Sequence, residues 1–214
     1  MRYSFFCSFV IELYSGKELL IMKEPFLYQF VRVVVTLWLK LIYKPVIVNK
    51  QNIPESGAVV VAGTHTNNLD GFMLAASTKR TIRFLGKDEL LKGIGKWFFK
   101  NMGMIPVNRR IKDNSVMPAA IKALENGSLV GLFPEGTVNK TTGLIMPFKK
   151  GAAAMAIDGK CSIVPFAIIG PYIKFKKSVK IIFGESYYPE TTDVILETKV
   201  LEEKVIKLIT DNGE

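Results

Sequence analysis

A chain of 214 residues is long enough for one domain with a full core, or for a domain with a small attachment. Apolar residues make up 49%, mean hydropathy is +0.23, and 29 Lys and Arg against 19 Asp and Glu leave a net charge of +10. That balance points to an anionic partner, whether lipid surface, phosphorylated small molecule or nucleic acid, while one histidine and two cysteines without a CxxC pair exclude the usual zinc sites, so no metal is expected.

The first 22 residues carry a short apolar patch at 5–11, which Glu12 interrupts. No small-residue cleavage site follows, so a secretory signal is not expected. Cys7 and Cys161 lie far apart and suit a reducing compartment. Met22-Lys23-Glu24 offers a second start, which would make residues 1–21 an extension. Next comes the longest apolar segment, 26–43, FLYQFVRVVVTLWLKLIY. Its non-apolar members Gln29, Arg32, Thr36 and Lys40 are spaced three, four and four apart, and on a helix they form one narrow stripe. Eighteen helical residues reach roughly 27 Å, a little under the hydrocarbon thickness of a bilayer. Two cations on that face would be costly at mid-bilayer. The spacing predicts an amphipathic helix lying in the plane of a membrane interface. The plain alternative is a core helix whose polar stripe meets solvent.

From residue 45 the pattern changes to short β-rich runs alternating with helical stretches. Strands are predicted at 46–49, 58–62, 82–86, 104–108, 129–133, 162–168 and 179–183, several as near-continuous apolar runs of the kind buried on both faces. Helices are predicted at 71–77, 89–101, 116–125, 150–157 and 193–210. Asp70, Asp88 and Ser115 stand at N-cap positions, and Gly127 and Gly159 at C-caps. Such alternation predicts an α/β fold, a largely parallel or mixed sheet flanked by helices. The expected organisation is an N-terminal membrane-associating helical region, 1–44, followed by an α/β domain, 45–214.

The only histidine opens His65-Thr66-Asn67-Asn68-Leu69-Asp70. Imidazole can accept and return a proton near neutral pH, and a carboxylate on one ring nitrogen leaves the other free as a base. A five-residue step is about 140° of helical rotation, so the two side chains meet only if His65 lies on the turn after strand 58–62 and Asp70 begins the next helix. The plain alternative makes Asp70 a cap and His65 a loop residue. Gly103-Met104-Ile105-Pro106-Val107-Asn108-Arg109-Arg110 would deliver two guanidiniums at a strand's tip, suited to phosphate or simply to water. Phe133-Pro134-Glu135-Gly136-Thr137 follows the apolar run 129–132 and puts Glu135 in a loop at a strand's carboxyl end, as a ligand contact or a turn. Lys149-Lys150-Gly151 starts a small-residue helix suited to close packing, with lysines able to attract an anion. In Ile163-Val164-Pro165-Phe166-Ala167 the proline is expected to interrupt pairing. Lys92, Lys96 and Lys100 share a helix face with Lys87 nearby, for anionic headgroups, donor phosphates or plain solvation.

Taken in order, HxxxxD, GxIPVxR, FPEGT and VPxA resemble the motif set of the glycerolipid acyltransferase family, which includes 1-acyl-glycerol-3-phosphate acyltransferases; the resemblance spans roughly 45–185. It implies that His65 is the catalytic base and Asp70 its orienting partner. It maps acceptor phosphate binding to Arg109 and further acceptor contacts to Glu135, Gly136 and Thr137. Because like charges repel, Glu135 is expected to accept from a glycerol hydroxyl or to orient Arg109. Three positions depart from the family: Thr64 stands where Asn is common, and Val138-Asn139 where Arg-Ser commonly follows FPEGT. Without that arginine the expectation is either a weaker phosphate grip or a contact moved to Lys140, Lys149 or Arg110.

The resemblance implies transfer of a fatty acyl group from acyl-CoA or acyl-carrier protein to the free hydroxyl of 1-acyl-glycerol-3-phosphate. No cofactor is implied beyond that co-substrate. Alternatives are another lysophospholipid or glycerol-phosphate acceptor, or a non-catalytic lipid-binding relative. Amides near Gly63 or Gly136 are candidates for stabilising the oxyanion. No GxSxG elbow appears, so no acyl-enzyme is required, and Cys161 reads as packing. Membrane lipids are expected partners, at the cytoplasmic face. Nucleic acid is not, since no helix-turn-helix, zinc-finger or RNP-like pattern appears. Nucleotide use is likewise not expected without GxxxxGK[ST] or GxGxxG.

Overall fold

The computed structural model describes residues 26–87, 97–98, 101–107 and 115–213. In chain order the elements are α1 (Phe26–Ile42), β1 (Val46–Val48), a 3-10 turn (Lys50–Asn52), β2 (Val59–Gly63), α2 (Asp70–Ser77), β3 (Ile82–Lys87), β4 (Ile105–Val107), α3 (Val116–Glu125), β5 (Leu129–Leu132), α4 (Gly151–Asp158), β6 (Ser162–Ile169), β7 (Lys180–Phe183) and α5 (Val194–Thr210). All seven expected strands form. The helix expected at 89–101, with Asp88 and Lys92, Lys96 and Lys100, lies largely or wholly outside the described residues.

One seven-stranded sheet runs β1-β7-β6-β2-β5-β3-β4, and every neighbouring pair is parallel except β6 with β7. Alternation along β2 explains the layers. Val60 and Ala62 face a core shared with Ala120 and Leu124 of α3, Met155 of α4 and Leu201 of α5. Val59 and Val61 face the opposite core, with Tyr28 of α1 and Met73 and Leu74 of α2. Helices therefore cover both faces, as the doubly buried strands require.

Local chemistry sets the element ends. Asp193 caps α5, its carboxylate accepting from the N–H groups of Ile195 at 2.8 Å and Leu196 at 3.2 Å. Gly127 ends α3 in the left-handed region. At the end of α4 that conformation falls to Lys160, while Gly159 stays right-handed, unlike the expectation for a capping glycine. Pro165 does not interrupt β6, which runs straight through it. The Ile163 N–H bonds to Tyr187 and the Pro165 carbonyl accepts from Gly184. The proline's missing donor thus falls on the side where β7 gives way to a single bridge at Tyr187.

α1 is packed with its faces reversed relative to a core helix that turns a polar stripe to water. Gln29 donates from Nε2 to Thr81 Oγ1 at 2.9 Å, and Arg32 donates to the Thr78 carbonyl at 3.3 Å, so the first half of the polar stripe meets the domain, while Lys40 at its end is exposed. Phe30, Val33, Val34, Leu37, Trp38 and Leu41 are exposed, following helical spacing along one face. Tyr28 and Leu39 are buried. The boundary expected at residue 44 is therefore not a break in packing, because α1 contributes to the core of the sheet.

Tyr28 Oη accepts the N–H of Ile82, the first residue of β3, at 3.1 Å in a buried setting. Tyr28→Phe leaves that amide without this acceptor and should lower unfolding free energy by about 1–3 kcal/mol. Urea unfolding with an unchanged slope is the measurement; an unchanged midpoint would show that α1 does not brace the sheet.

Candidate active site

β2 lies between β5 and β6, parallel to both, so all three carboxyl ends reach one edge of the sheet. The sheet's connections diverge to either side of β2, the position where α/β folds open a crevice. His65 sits two residues beyond β2, and Asp70 is the first residue of α2. The strand-to-helix bend brings them together as the spacing requires, with His65 Nδ1 3.0 Å from Asp70 Oδ2.

Asp70 is fully buried, and its carboxylate accepts from several donors. Oδ2 takes the N–H of Thr66 at 2.6 Å and of Asn67 at 2.7 Å besides His65. Oδ1 takes the Tyr172 hydroxyl at 2.7 Å. The expected N-cap role does not hold: Leu69 is the N-cap residue of α2, and Asp70 accepts from the loop before the helix. Buried carboxylates are tolerated when donors replace water, and four donors also fix the side chain's orientation. Nδ1 is thereby committed, and Nε2 is the ring nitrogen with no protein partner among the described residues. The imidazole is partly exposed and stacks on Phe133 at 4.2 Å between centroids and 19° between planes.

Glu135 braces the same loop. Its Oε1 accepts the His65 N–H at 2.9 Å, and Oε2 accepts the Met146 N–H at 3.1 Å. Only 3% of the residue is exposed. Among the described residues the Glu135 carboxylate is thus occupied by two backbone amides, while Arg109, one of its expected partners, lies outside them. Burial raises the Glu135 pKa; the amides of His65 and Met146 and the charge of His65 oppose that rise, and Asp70 adds to it. A further tie runs from the Asn139 N–H to the His65 carbonyl at 2.7 Å. Thr64, the family departure, is buried and accepts the Ile168 N–H at 2.8 Å.

Gly136 has φ +78 and closes a turn by donating its N–H to Phe133 O at 2.9 Å, so that amide is not available to an oxyanion. A Cβ there would come within 2.5 Å of Lys149 Nζ, so glycine lets the lysine lie against the turn. Thr137, Lys140 and Lys149 are exposed. Val138-Asn139 leads into a closed turn in which Asn139 Oδ1 accepts from Thr141 and Asn139 Nδ2 donates to the Gly143 carbonyl. Arg109 and Arg110 lie outside the described residues; β4, the strand before them, is parallel to β3 and ends at this same edge. Cys161 is buried, and burial pushes its thiol up to about 11, which fits packing.

Sequence reasoning missed Tyr172. It stands 102 residues from Asp70, in the connection after β6, and nothing local marks it. Only the strand order, which puts β6 beside β2, could have found it. Burial and the neighbouring Asp70 charge push its hydroxyl's pKa well up, keeping it a donor. Its ring meets Tyr43 edge-on at 5.6 Å, and Tyr43 meets Trp38 of α1 at 5.5 Å.

A family model described as acyltransferase matches residues 44–169. A 1-acyl-sn-glycerol-3-phosphate acyltransferase of Bacillus subtilis is 32% identical over 175 residues, covering 75% of this chain and 85% of its own. One from Borreliella burgdorferi is 30% identical over 183 residues, covering 83% and 72%. Among solved structures, the 1-acyl-sn-glycerophosphate acyltransferase of Thermotoga maritima matches with a TM-score of 0.70, covering 86% of this chain and 77% of its own. At 22% identity, that last match is a likeness of fold.

Tyr172→Phe deletes one donor to the buried Asp70 carboxylate. Hydrogen bonds to charged groups are worth about 1.5–3 kcal/mol, and stability should fall by that amount. Thermal and urea unfolding measure it, with Tyr188→Phe, an exposed tyrosine, as the control expected to change nothing.

Proposed function

This chain belongs to the acyltransferase family, and from that premise we propose that it transfers a fatty acyl group from an acyl thioester to the free hydroxyl of 1-acyl-glycerol-3-phosphate, giving phosphatidic acid. The observation that carries the reading is the His65–Asp70 pair, 3.0 Å apart at the carboxyl edge of the sheet with Nε2 left over. An alcohol is a poor nucleophile at neutral pH. His65 Nε2 takes the hydroxyl proton as the oxygen attacks the thioester carbonyl, and Asp70 stabilises the imidazolium on the Nδ1 side. The tetrahedral intermediate then collapses, the carbon–sulfur bond breaks, and the thiolate leaves with the proton from His65. General-base catalysis of this kind contributes about 10²–10⁴-fold. Holding both substrates at one edge supplies more of the acceleration.

In this reading Glu135 and Tyr172 act through His65 and Asp70, the one by holding the His65 amide and the other by holding the carboxylate. Arg109 binds the acceptor phosphate as a bidentate fork. Thr137 and the Gly136 turn line the acceptor's approach, and Lys149, lying over that turn, and Arg110 supply further cations. The donor is acyl-CoA or acyl-acyl-carrier protein, and no cofactor takes part. With Val138-Asn139 in place of the family's Arg-Ser, an acceptor with a different headgroup is the second reading. Both substrates carry long apolar tails, and the outward apolar face of α1 suits a helix resting in one leaflet at the cytoplasmic face. No helix among the described residues is long and apolar enough to cross a membrane.

His65→Ala should reduce transfer by about 10²-fold or more while the protein still folds, its unfolding free energy falling by about 1.5–3 kcal/mol as Asp70 loses that donor. A panel of lysophospholipids with acyl-CoA and acyl-carrier-protein donors, read by mass spectrometry of the products, is the test; near-normal turnover by the variant would remove the histidine from the mechanism. Arg109→Ala should raise KM for the phosphorylated acceptor by about 10-fold or more and leave the donor's KM alone, in line with loss of a charged contact. A change confined to the donor would reassign that residue.

A further inference from the structure

We infer that Ile173-Lys174-Phe175-Lys176-Lys177, in the connection between β6 and β7, is a second contact with an anionic bilayer, seated beside α1. The inference rests on the reading of α1 as an interfacial helix and extends it to a segment far away in sequence. Ile173 is 41% exposed and Phe175 is 62% exposed, and Lys174, Lys176 and Lys177 are all exposed between and after them. Alternating apolar and cationic side chains match the two layers of an interface, acyl chain and headgroup.

The segment is built rather than loose. Ser178 Oγ accepts the Ile173 N–H at 3.1 Å and donates to the Pro171 carbonyl at 2.7 Å, closing the connection at its base. Phe175 has φ +62, unusual for a bulky residue, and its N–H donates to the carbonyl of Ile42, the last residue of α1. The exposed ring is thus tied to the end of the helix whose apolar stripe is also exposed. Lys40 and Lys44, exposed near that end of α1, add to the positive field. Neither 26–44 nor 171–178 contains an acidic residue. A continuous surface results, apolar along α1 and basic-aromatic at its end, and a negatively charged membrane complements it.

An acidic carrier protein would also meet the lysines, but it would not account for the apolar side chains between them or for the continuity with the helix face. Tyr172, which holds Asp70, directly precedes the segment, so docking here would set the site's edge at the lipid surface.

The test compares three full-length proteins: the parent, a loop variant (Lys174→Ala, Lys176→Ala, Lys177→Ala) and a helix variant (Leu37→Ser, Leu41→Ser). Each is titrated with vesicles of equal parts phosphatidylglycerol and phosphatidylcholine, and with phosphatidylcholine alone. At about 5-fold per lysine near an anionic surface, the loop variant should bind the mixed vesicles about 100-fold more weakly than the parent, with little change on the neutral ones. Phe175→Ser should weaken binding to both kinds. Parent-like binding by the loop variant would overturn the inference, as would a loss that appears only when an acidic carrier protein replaces the vesicles. The helix variant separates the two readings: a loss there with none in the loop variant sinks this inference alone, whereas no loss there removes the interfacial role of α1. Turnover of a short-chain, water-soluble acceptor by the loop variant, unchanged from the parent, guards against a distorted Tyr172.

Discussion

The Asp70 carboxylate gathers donors from three pieces of chain: the His65 ring and two loop amides before α2, and the Tyr172 hydroxyl after β6. Burying a carboxylate without partners is costly, so keeping Asp70 both buried and charged requires these pieces to converge. The requirement dictates the bend between β2 and α2, the tautomer of His65 and the position of the connection that follows β6. Glu135 repeats the device one strand over, joining the His65 amide to the 145–146 segment. Two buried acids therefore hold one histidine, the first through its ring and the second through its backbone. Rigidity of this kind lets a single imidazole act without rearrangement at the moment of proton transfer.

The sequence made the sheet legible because strands buried on both faces read as apolar runs, and every such run became a strand. It made the dyad legible because a five-residue step cannot close on a helix and can close across a strand-to-helix bend. Other features were out of reach for identifiable reasons. Tyr172 meets Asp70 only through the pairing of β6 with β2, which no local pattern encodes. Glu135 was placed correctly at a strand's end, but which donors a carboxylate will find depends on loops packing from elsewhere. The amphipathic pattern of α1 divides the helix into two faces and does not say which one the protein keeps. Here it keeps the polar one, through Gln29 and Arg32. At α4 the left-handed residue fell one position beyond the glycine that marked the end, since cap geometry counts from hydrogen bonds and not from residue type.

Architecture and motif carry different parts of the assignment. A mostly parallel sheet with helices on both faces is shared by many unrelated activities. What narrows the choice is the pair of acids on one histidine at the edge where β2, β5 and β6 end, together with curated relatives at 30–32% identity over most of the chain. After Val138 the loop closes on its own side chain, with Asn139 accepting from Thr141 and donating to the Gly143 carbonyl.

The reversed packing of α1 has a consequence for handling the protein at the bench. Its six outward apolar side chains are exposed among the described residues, and in dilute buffer two molecules would lower their free energy by pressing these stripes together. Particle size in such a sample would then track detergent and concentration, and an apparent dimer would report on the solvent instead of on quaternary design.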